Sequence, residues 1–407
     1  MGVTKMKVII TALFGLESLV AEDLMAIGYE KQNIQVSDGV ISLRVLPEEL
    51  AMTVARVNLW VRTGERVFVE LLNFPARTFD ELFDEVKDFP WEDFIPPEFA
   101  FHVNGFSRKS EIFGISAAQS ICKKAIVQRL LLARKQLSTD TLIENERKGL
   151  LKIQFGIVDN QVGIMIDTSG DGLHKRGYRP LAHQAPIKET LAAGLVRLSR
   201  YRPFGEEALV DPFCGSGTIL VEAALAAFNI APGLNRPFAA ENWPLVGKLA
   251  FQEAREEAAA LRDTDMPDDL YFFGSDLDPQ AVATSIRNAK SAGVDQVIRF
   301  KQADAFSQTP AALREWTGLS RQLILCNPPY GERLLTEDEA TEIYKGIART
   351  YLDSEGLCRK GIRLSVISPD DTFERAVGRL ADKRRKLYNG NIKCQMYHYF
   401  KLEKHDK

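Results

Sequence analysis

The chain has 407 residues, of which 45% are hydrophobic and 26% charged, and its formal net charge is −3. This composition is that of an ordinary globular protein with room for two or three domains. A net negative charge excludes binding of nucleic acid through a globally positive surface, so such binding would have to use local basic patches.

The beginning of the chain, residues 1–65, predicts a small α+β unit with a ferredoxin-like pattern. Strand-like runs over 7–14, 34–36 and 40–45 surround a segment with helical spacing over 16–27. A second helix is expected shortly after the third of these strands, where a proline stands in its first turn.

A second α+β unit is expected over 66–167. Strands are predicted near 67–72, 100–104, 150–155 and 161–167. Between the first two strands, a Thr-x-x-Glu capping box predicts the start of a helix.

Basic residues mark one side of this second unit. Arg108 and Lys109 follow a strand, and Lys123 and Lys124 lie away from the apolar face of a helix. A second capping box, at Ser116, is expected to open that helix. An RNA-contacting face and a merely solvated helix face both explain these charges.

A polar connector ends in Lys175-Arg176-Gly177-Tyr178-Arg179. Positive charge beside an aromatic ring suits phosphate contact and base stacking. A linker pinned by salt bridges is the alternative interpretation. A helix over 186–198 follows, and a new series of strands begins at residue 208.

The first strand of that series, 208–210, leads into the glycine loop Asp211-Pro212-Phe213-Cys214-Gly215-Ser216-Gly217-Thr218, after which a helix begins. Gly215 and Gly217 let the backbone approach a ligand, and free N–H groups at the helix start can bind an anion. The loop lacks the lysine of a P-loop and the third glycine of a dinucleotide loop. The carboxylate of S-adenosylmethionine therefore fits, although an ordinary glycine turn is the alternative.

Two later strands end in acids. Asp276 follows the strand 271–275 and is placed to accept ribose hydroxyls. Asp278 precedes a proline and is expected to cap the next helix. Asp304 ends a third strand and could accept an adenine amino group, although a loop acid or a helix cap is its commoner role.

The run 323–326 is a short apolar strand that stops at Asn327-Pro328-Pro329-Tyr330, because two prolines cannot continue a ladder. The side chain of Asn327 and the carbonyl of Pro328 can accept two N–H bonds from an exocyclic base amine and make its nitrogen nucleophilic. Tyr330 can stack on the base. A plain strand with a proline turn is the alternative, but the glycine loop upstream favours methyl transfer.

The end of the chain predicts an antiparallel hairpin, because Asn389-Gly390 separates two strand-like runs. A terminal hairpin on a parallel sheet distinguishes the class I methyltransferase arrangement from a plain dinucleotide-binding fold.

With these motifs, the chain resembles the class I S-adenosylmethionine-dependent methyltransferases. More narrowly, it is similar to the THUMP-containing RNA methyltransferases, such as the bacterial 23S rRNA (guanine-N2)-methyltransferases. The resemblance rests on 175–179 with 185–190, 211–218, 274–276, Asp304 and 327–330. The segment 229–269 is longer than in a minimal βαβ unit and resembles an insertion of this family.

The resemblance implies an α/β class I methyltransferase domain, Rossmann-like with a terminal antiparallel hairpin, preceded by α+β ferredoxin-like and THUMP domains. The expected domains are 1–65, 66–167 and 168–407.

The motifs and the resemblance together predict three sets of site residues. The catalytic set is Asn327, Pro328 and Tyr330. The cofactor-binding set is Gln184, Thr190, Asp211, Pro212, Phe213, Cys214, Gly215, Gly217, Thr218, Asp276, Leu277, Asp304 and Ala305. The RNA-binding set is Arg108, Lys109, Lys123, Lys124, Lys175, Arg176 and Arg179.

The expected reaction is methyl transfer from S-adenosylmethionine to guanine N2 in 23S rRNA, with the base flipped out of structured RNA. The Asn-Pro-Pro-Tyr motif alone does not separate guanine N2 from adenine N6 or cytosine N4. Adenine-N6 methylation of DNA or RNA and guanine-N2 methylation of tRNA stay open. A catalytically silent RNA-binding assembly factor is the alternative from a different class.

Cysteine use and hydropathy predict a cytoplasmic protein. The cysteines, which are scattered along the chain, are expected to be reduced thiols: Cys122, Cys214, Cys326, Cys358 and Cys394. No apolar run reaches the length of a membrane span, and no signal peptide is expected. The five histidines lack ligand spacing, so no metal site is expected.

Overall fold

The computed structural model describes residues 6–135, 141–179, 187–263, 271–329, 337–369, 373–390 and 392–402. The chain divides into two compact units, and each contains a seven-stranded mixed sheet. The first unit comprises Met1–Ala12, Ala21–Leu173 and Arg236–Glu257. The second comprises Leu13–Val20, His174–Asn235 and Ala258–Lys407.

The first sheet has the strand order β2-β3-β1-β4-β7-β6-β5, and within it β5 and β6 are parallel. Its strands are β1 (Met6–Ala12), β2 (Ile34–Ser37), β3 (Val40–Val45), β4 (Gly64–Pro75), β5 (Phe99–Arg108), β6 (Asn145–Val158) and β7 (Gln161–Asp167). The helices of this part of the chain are α1 (Glu17–Ala26), α2 (Leu50–Trp60), α3 (Phe79–Asp88) and α4 (Ile115–Ala133).

The long strand β4 belongs to both halves of this sheet. It pairs with β1 on one side and with β7 on the other. The ferredoxin-like and THUMP-like patterns therefore form one continuous sheet, to which β4 contributes the buried residues Val67 and Val69. The boundary expected between residues 65 and 66 therefore lies within a strand that both patterns share.

The two expected capping boxes have different outcomes. Thr78 caps α3, since its hydroxyl accepts the N–H of Glu81 and the Glu81 carboxylate returns to the cap backbone. The box at Ser116 is wrong, because α4 begins one residue earlier, with Gly114 as its N-cap. Ser116 therefore lies inside the first turn of the helix, where its side chain is not in the N-cap position.

The second sheet has the order β10-β9-β8-β11-β12-β14-β13. Its strands are β8 (Glu207–Asp211), β9 (Phe272–Asp276), β10 (Ile298–Gln302), β11 (Arg321–Cys326), β12 (Ile362–Ser368), β13 (Lys383–Asn389) and β14 (Ile392–Tyr399). The helices after α4 are α5 (Glu189–Leu198), α6 (Thr218–Ala227), α7 (Gly247–Ala260), α8 (Pro279–Ala292), α9 (Pro310–Thr317), α10 (Glu337–Tyr351) and α11 (Phe373–Val377).

Strands β8 to β12 are parallel to one another, and the β13–β14 hairpin adds antiparallel strands at one end. This confirms the predicted class I methyltransferase arrangement. Helices cover both faces: Leu209 of β8 packs into one core, and Ala208 and Val210 pack into the other. No helix within the described ranges is long and apolar enough to cross a membrane.

Candidate active site

The predicted polar residues follow the carboxyl ends of four neighbouring parallel strands. Asp211 ends β8, Asp276 ends β9, Asp304 comes shortly after β10, and Asn327 follows β11. Because these strands are adjacent and parallel, the four residues lie at one edge of the sheet, where open α/β sheets bind ligands.

The electrostatics of buried Tyr351 support this convergence. Burial raises the pKa of its hydroxyl, and the charges of Cys326, Asp211 and Asp304 raise it further. Residues at the ends of β8 and β11 and just after β10 therefore lie close enough to one tyrosine hydroxyl to affect its pKa.

The glycine loop is held by the neighbouring strand and by α8. The N–H of Cys214 donates to Ser275 O, and the N–H of Gly215 donates to Asp276 Oδ2, each at 2.9 Å. From α8, Ser285 donates to Gly215 O at 2.8 Å. Gly217 has φ +74°, and a Cβ there would lie 3.0 Å from the Ser285 Cβ, so this position requires glycine.

Asn288 of α8 adds a hydrogen bond from its side chain to Ser216 O at 2.8 Å. Sequence reasoning missed Ser285 and Asn288 as supports of the loop, because small polar residues on a helix carry no distinctive pattern. Their contribution is visible only once α8 is placed beside the loop.

Asp276 and Asp278 have different roles. Asp276 Oδ2 accepts the Gly215 N–H, and its Oδ1 accepts the Asp278 N–H at 3.0 Å, so the carboxylate is fixed beside the loop. Asp278 caps α8 by accepting the N–H of Gln280 at 2.8 Å, which confirms its predicted role. Leu277 between them is 69% exposed and offers an apolar surface beside the acid.

Asp304 is exposed and caps a single 3-10 turn by accepting the N–H of Phe306 at 3.0 Å. The capping alternative is thus confirmed. Ala305, the next residue, is buried.

Asp211 is the most electrostatically perturbed acid of the site. It is 1% exposed, and its pKa is raised to about 8. Burial is the main cause, the hydrogen bond from the Phe213 N–H opposes the rise, and the charge of Asp276 adds to it. A positive charge placed nearby would favour its ionised form. This environment fits a cationic ligand such as the ammonium and sulfonium groups of S-adenosylmethionine.

Asn327 carries an unmet hydrogen-bond acceptor. Its side-chain Oδ1 is buried and has no donor among the residues that the structure describes. A buried carbonyl without a donor costs free energy, so this atom is suited to accept an N–H from a ligand. Pro328 is buried beside it, and Tyr330 lies outside the described residues.

The rest of the predicted cofactor set lies around α5 and the start of α6. Thr218 opens α6, and its hydroxyl contacts that of Ser216 at 2.9 Å. Thr190 is fully buried in α5, and Gln184 lies outside the described residues. Pro212 and Cys214 are buried, and the Phe213 ring meets that of Phe306 edge-on at 6.2 Å.

The basic connector is part of a buried ion-pair network. Arg176 is 3% exposed and lies 3.5 Å from Glu222 Oε1, which also accepts the Tyr178 hydroxyl at 3.1 Å. Arg179 pairs with Glu189 at 2.7 Å and donates to the Thr218 hydroxyl at 3.1 Å.

The assignment of Arg176 and Arg179 to an RNA surface is therefore wrong, because their guanidinium groups face buried carboxylates. The alternative, a linker pinned by salt bridges, is confirmed for these two residues. Lys175 is exposed and stays a candidate. Sequence reasoning missed the partners Glu189 and Glu222, since acids inside apolar helices give no signal of what they pair with.

The basic residues of the first unit divide in the same way. The Lys123 ammonium donates to Phe101 O and to Glu144 Oε1, both at 2.7 Å, and lies over the Phe101 ring. This bonding makes Lys123 a structural residue rather than a free phosphate contact. Arg108, Lys109 and Lys124 are exposed.

No group of three or more His, Cys, Asp or Glu side chains suited to a metal ion occurs in the part of the chain that the structure describes. All five cysteines are free and buried.

The strand order, the glycine loop and the buried acceptor of Asn327 define a class I methyltransferase. Comparison with known families agrees. Residues 176–398 match the family described as "RMKL-like, methyltransferase domain", residues 7–68 match the "RlmL ferredoxin-like domain", and residues 76–167 match the "THUMP domain".

Two curated relatives show the extent of the similarity. "Putative RNA methyltransferase YpsC" of Bacillus subtilis is 40% identical over 398 residues, which cover 97% of this chain and 96% of that protein. "Ribosomal RNA large subunit methyltransferase K/L" of Syntrophotalea carbinolica is 31% identical over 401 residues. The match covers 96% of this chain but 53% of that relative, so the chain spans about half its length.

Two solved structures are similar over almost the whole chain. SMU.472, described as "a putative methyltransferase complexed with SAH", has a TM-score of 0.83 and 35% identity, with 98% of this chain and 99% of that chain covered. A protein of Listeria monocytogenes, described as "a predicted N6-adenine-specific DNA methylase", has a TM-score of 0.84 and 36% identity, with 98% of this chain and 97% of that chain covered.

The chain therefore belongs to the RMKL-like methyltransferase family, and it carries a THUMP domain and an RlmL ferredoxin-like domain ahead of the methyltransferase domain. It is an S-adenosylmethionine-dependent methyltransferase.

Proposed function

We propose that this enzyme methylates the N2 amine of a guanine in RNA, and that the RNA is 23S rRNA. The observation that carries the proposal is the buried Asn327 Oδ1, which meets no donor among the described residues. An exocyclic amine has two N–H groups to donate, and Asn327 with the Pro328 carbonyl offers two acceptors. The THUMP match and the names of the relatives support RNA as the substrate class.

The chemistry proposed for the chain's own residues is positioning and polarisation. Bound S-adenosylmethionine supplies a methyl group on a positively charged sulfur. Asp276 and the glycine loop bind the cofactor on one side of the site, and Asn327 holds the amine on the other. Acceptance of both N–H bonds directs the nitrogen lone pair away from the ring, towards the methyl carbon.

The proposed RNA contacts in the first unit centre on the loop between β5 and α4. Arg108 and Lys109 are exposed there, and Phe113 is 83% exposed. The loop is braced, since Glu111 N–H donates to the Asn160 side chain at 2.8 Å. A rigid loop that presents an aromatic ring beside two cations suits stacking on an unpaired base next to a phosphate.

The second candidate reaction is adenine-N6 methylation, which the description of the Listeria monocytogenes protein favours. Both amines offer two N–H groups, so the geometry around Asn327 serves either base.

A cytoplasmic location is part of the proposal, and the free, buried cysteines fit a reducing compartment.

The test is nucleoside mass spectrometry of RNA incubated with the enzyme and cofactor. We expect N2-methylguanosine as the product of the unsubstituted enzyme. With Asn327→Ala, turnover should fall by about 10²-fold or more while S-adenosylmethionine affinity changes little, since the residue acts on the amine.

Asn288→Ala is the matched control, because it removes an amide that supports the cofactor loop instead of one facing the substrate amine. It should weaken cofactor binding more than turnover at saturating cofactor. N6-methyladenosine as the sole product would refute the guanine assignment and keep the amine mechanism. Full turnover in Asn327→Ala would refute the mechanism.

A further inference from the structure

A cavity lies in the methyltransferase unit at the edge of the sheet opposite to Asp211 and Asn327. It has a volume of about 400 Å³. Glu207 begins β8, Arg321 begins β11, and Arg363 is the second residue of β12, so the cavity lies at the amino ends of these parallel strands. The charged side chains that line it are Arg200, Arg202, Arg321, Arg363, Glu206 and Glu207.

The backbone that carries Arg200 and Arg202 is fixed by aromatic anchors. Between the two arginines, Tyr201 is 9% exposed, and its hydroxyl donates to Tyr271 O at 3.3 Å. Phe204 packs edge-on against Tyr271 at 5.7 Å. Arg200 and Phe204 have φ +56° and +61°, so the segment makes two sharp turns around these anchors.

The two glutamates do not neutralise the four arginines. Arg363 forms a two-pronged ion pair with Glu207, through Nε at 2.7 Å and Nη2 at 2.5 Å. That pair leaves three arginines against Glu206, and three positive charges less one negative charge gives a local excess of two. Across the described parts of the chain, Arg200, Arg202 and Arg321 have no carboxylate within ion-pair distance.

The buried side chain of His398 lies close enough to the cavity for two of its arginines to affect the pKa of the imidazole. Burial, with a further contribution from the charges of Lys383, Arg363 and Arg200, lowers the pKa of His398 to about 4. The imidazole faces the Ser365 hydroxyl at 2.9 Å. Arg200 and Arg363 of the cavity and Lys383 of β13 thus all lower the pKa of this imidazole.

Single exposed arginines are common and need no ligand. Here the cations converge from three separate segments of the chain into one concave site, which brings like charges together at an electrostatic cost. A guanidinium group is planar and forms paired hydrogen bonds with phosphate oxygens. Proteins therefore commonly bind phosphoryl groups with several arginines around one cavity.

We propose that this cavity is a phosphate-binding site, separate from the methyl-transfer site, that takes a phosphate monoester or diester. The volume is within the range of about 300–1,000 Å³ found for small-molecule sites, so a sugar attached to the phosphate also fits. The same phosphoryl chemistry can come from a free sugar phosphate or from an RNA backbone. Arg200, Arg202 and Arg321 supply the contacts, and the Arg363–Glu207 ion pair lines the cavity beside them.

The test compares two charge-matched double variants of the full chain. Arg202→Glu with Arg321→Glu reverses the charge of the cavity from positive to negative. Arg287→Glu with Arg349→Glu makes the same change of charge at exposed positions on α8 and α10. Calorimetry with ribose 5-phosphate at low salt should show saturable binding to the natural protein. Ribose should bind at least about tenfold more weakly.

The cavity variant should bind ribose 5-phosphate about tenfold more weakly or worse, and the control variant should bind it within about twofold of the natural protein. A second arm measures the affinity of a short single-stranded RNA against salt concentration. If the RNA backbone is the source, the slope of log affinity against log salt should fall by about 1–2 in the cavity variant only. If a free phosphate ester is the source, the slope should not change.

Absence of saturable binding in both arms would overturn the proposal, and so would equal loss in the two variants. Thermal unfolding of both variants is measured first. Arg202→Gln with Arg321→Gln replaces the charge-reversed pair if that pair does not fold, and the same outcomes apply to it.

Discussion

At the scale of single residues, two acids that follow β9 have different functions because they form different hydrogen bonds. Asp276 is held by two backbone N–H groups, whereas Asp278, two positions later, caps a helix. Both are exposed to some degree, so burial alone does not distinguish them. Their hydrogen-bond partners do.

Asp276→Ala should weaken S-adenosylmethionine binding by about 1.5–3 kcal/mol, because the ribose would lose a charged acceptor and Gly215 its anchor. Isothermal titration calorimetry measures this effect. Asp278→Ala is the control: it should lower the free energy of unfolding by about 1 kcal/mol through the lost cap, with cofactor affinity unchanged. Normal affinity in Asp276→Ala would transfer the ribose role to Asp278.

Asp211 predicts a pH dependence of stability. Its pKa of about 8 in the folded protein lies above the value of about 3.9 expected in the unfolded chain. The folded state therefore holds a proton that the unfolded state releases. This contribution to stability is complete below pH ~4 and is lost as the pH rises towards 8, by at most about 1.4 kcal/mol per pH unit.

Asp211→Asn removes the ionisation but keeps an oxygen for the Phe213 N–H. Its free energy of unfolding should therefore fall less than that of the natural protein between pH values of about 5 and about 8. Urea titrations at the two pH values measure this difference. Parallel pH profiles for the two proteins would contradict the assignment.

At the scale of elements, α6 carries both the end of the cofactor loop and a fully buried acid. Glu222 is 0% exposed and is matched by Arg176 and by the Tyr178 hydroxyl. The segment 174–179 is thus attached to the helix that follows the glycine loop. Arg176 and Arg179 therefore stabilise the helices beside the cofactor loop through buried ion pairs.

Arg176→Ala should lower the free energy of unfolding by about 3–5 kcal/mol, because it leaves the Glu222 charge buried without its cation. Urea unfolding measures the loss. Arg176→Met combined with Glu222→Leu removes both charges and should recover most of the stability. A single variant as stable as the natural protein would show that the pair is not needed.

At the scale of the whole molecule, a chain with a net charge of −3 must confine RNA contact to local patches. The structure removes Lys123, Arg176 and Arg179 from the candidate patches by engaging them internally. Arg108 and Lys109 stay exposed beside Phe113 in the first unit.

Arg108→Glu with Lys109→Glu should lower RNA affinity and reduce the slope of log affinity against log salt by about 1.4–2, since two phosphate contacts release fewer counterions. Filter binding across a salt series measures both quantities, and cofactor affinity should not change. Lys31→Glu with Arg44→Glu, at two exposed positions of the first unit outside the predicted RNA-binding set, makes the same charge change and should leave the slope unaltered. An unchanged slope in the Arg108 and Lys109 variant would exclude this loop as an RNA contact.

Local sequence patterns determined much of this protein. The apolar strands that end in glycine, acid or proline predicted β8, β9 and β11, and Asn389-Gly390 predicted the β13–β14 hairpin. Such signals are local, because backbone geometry at Gly, Pro and Asn is set by the residue itself. The Asp278 and Thr78 caps were predictable for the same reason.

Only the tertiary structure decided which charged side chains are free to bind a ligand. Arg176 and Arg108 look alike in the sequence, yet one faces a buried glutamate and the other is exposed. The shared strand β4, the support of the glycine loop by Ser285 and Asn288, and the arginine cavity all join residues that are distant along the chain. Pairing of this kind depends on how strands and helices pack, and a one-dimensional pattern of residue types does not contain that information.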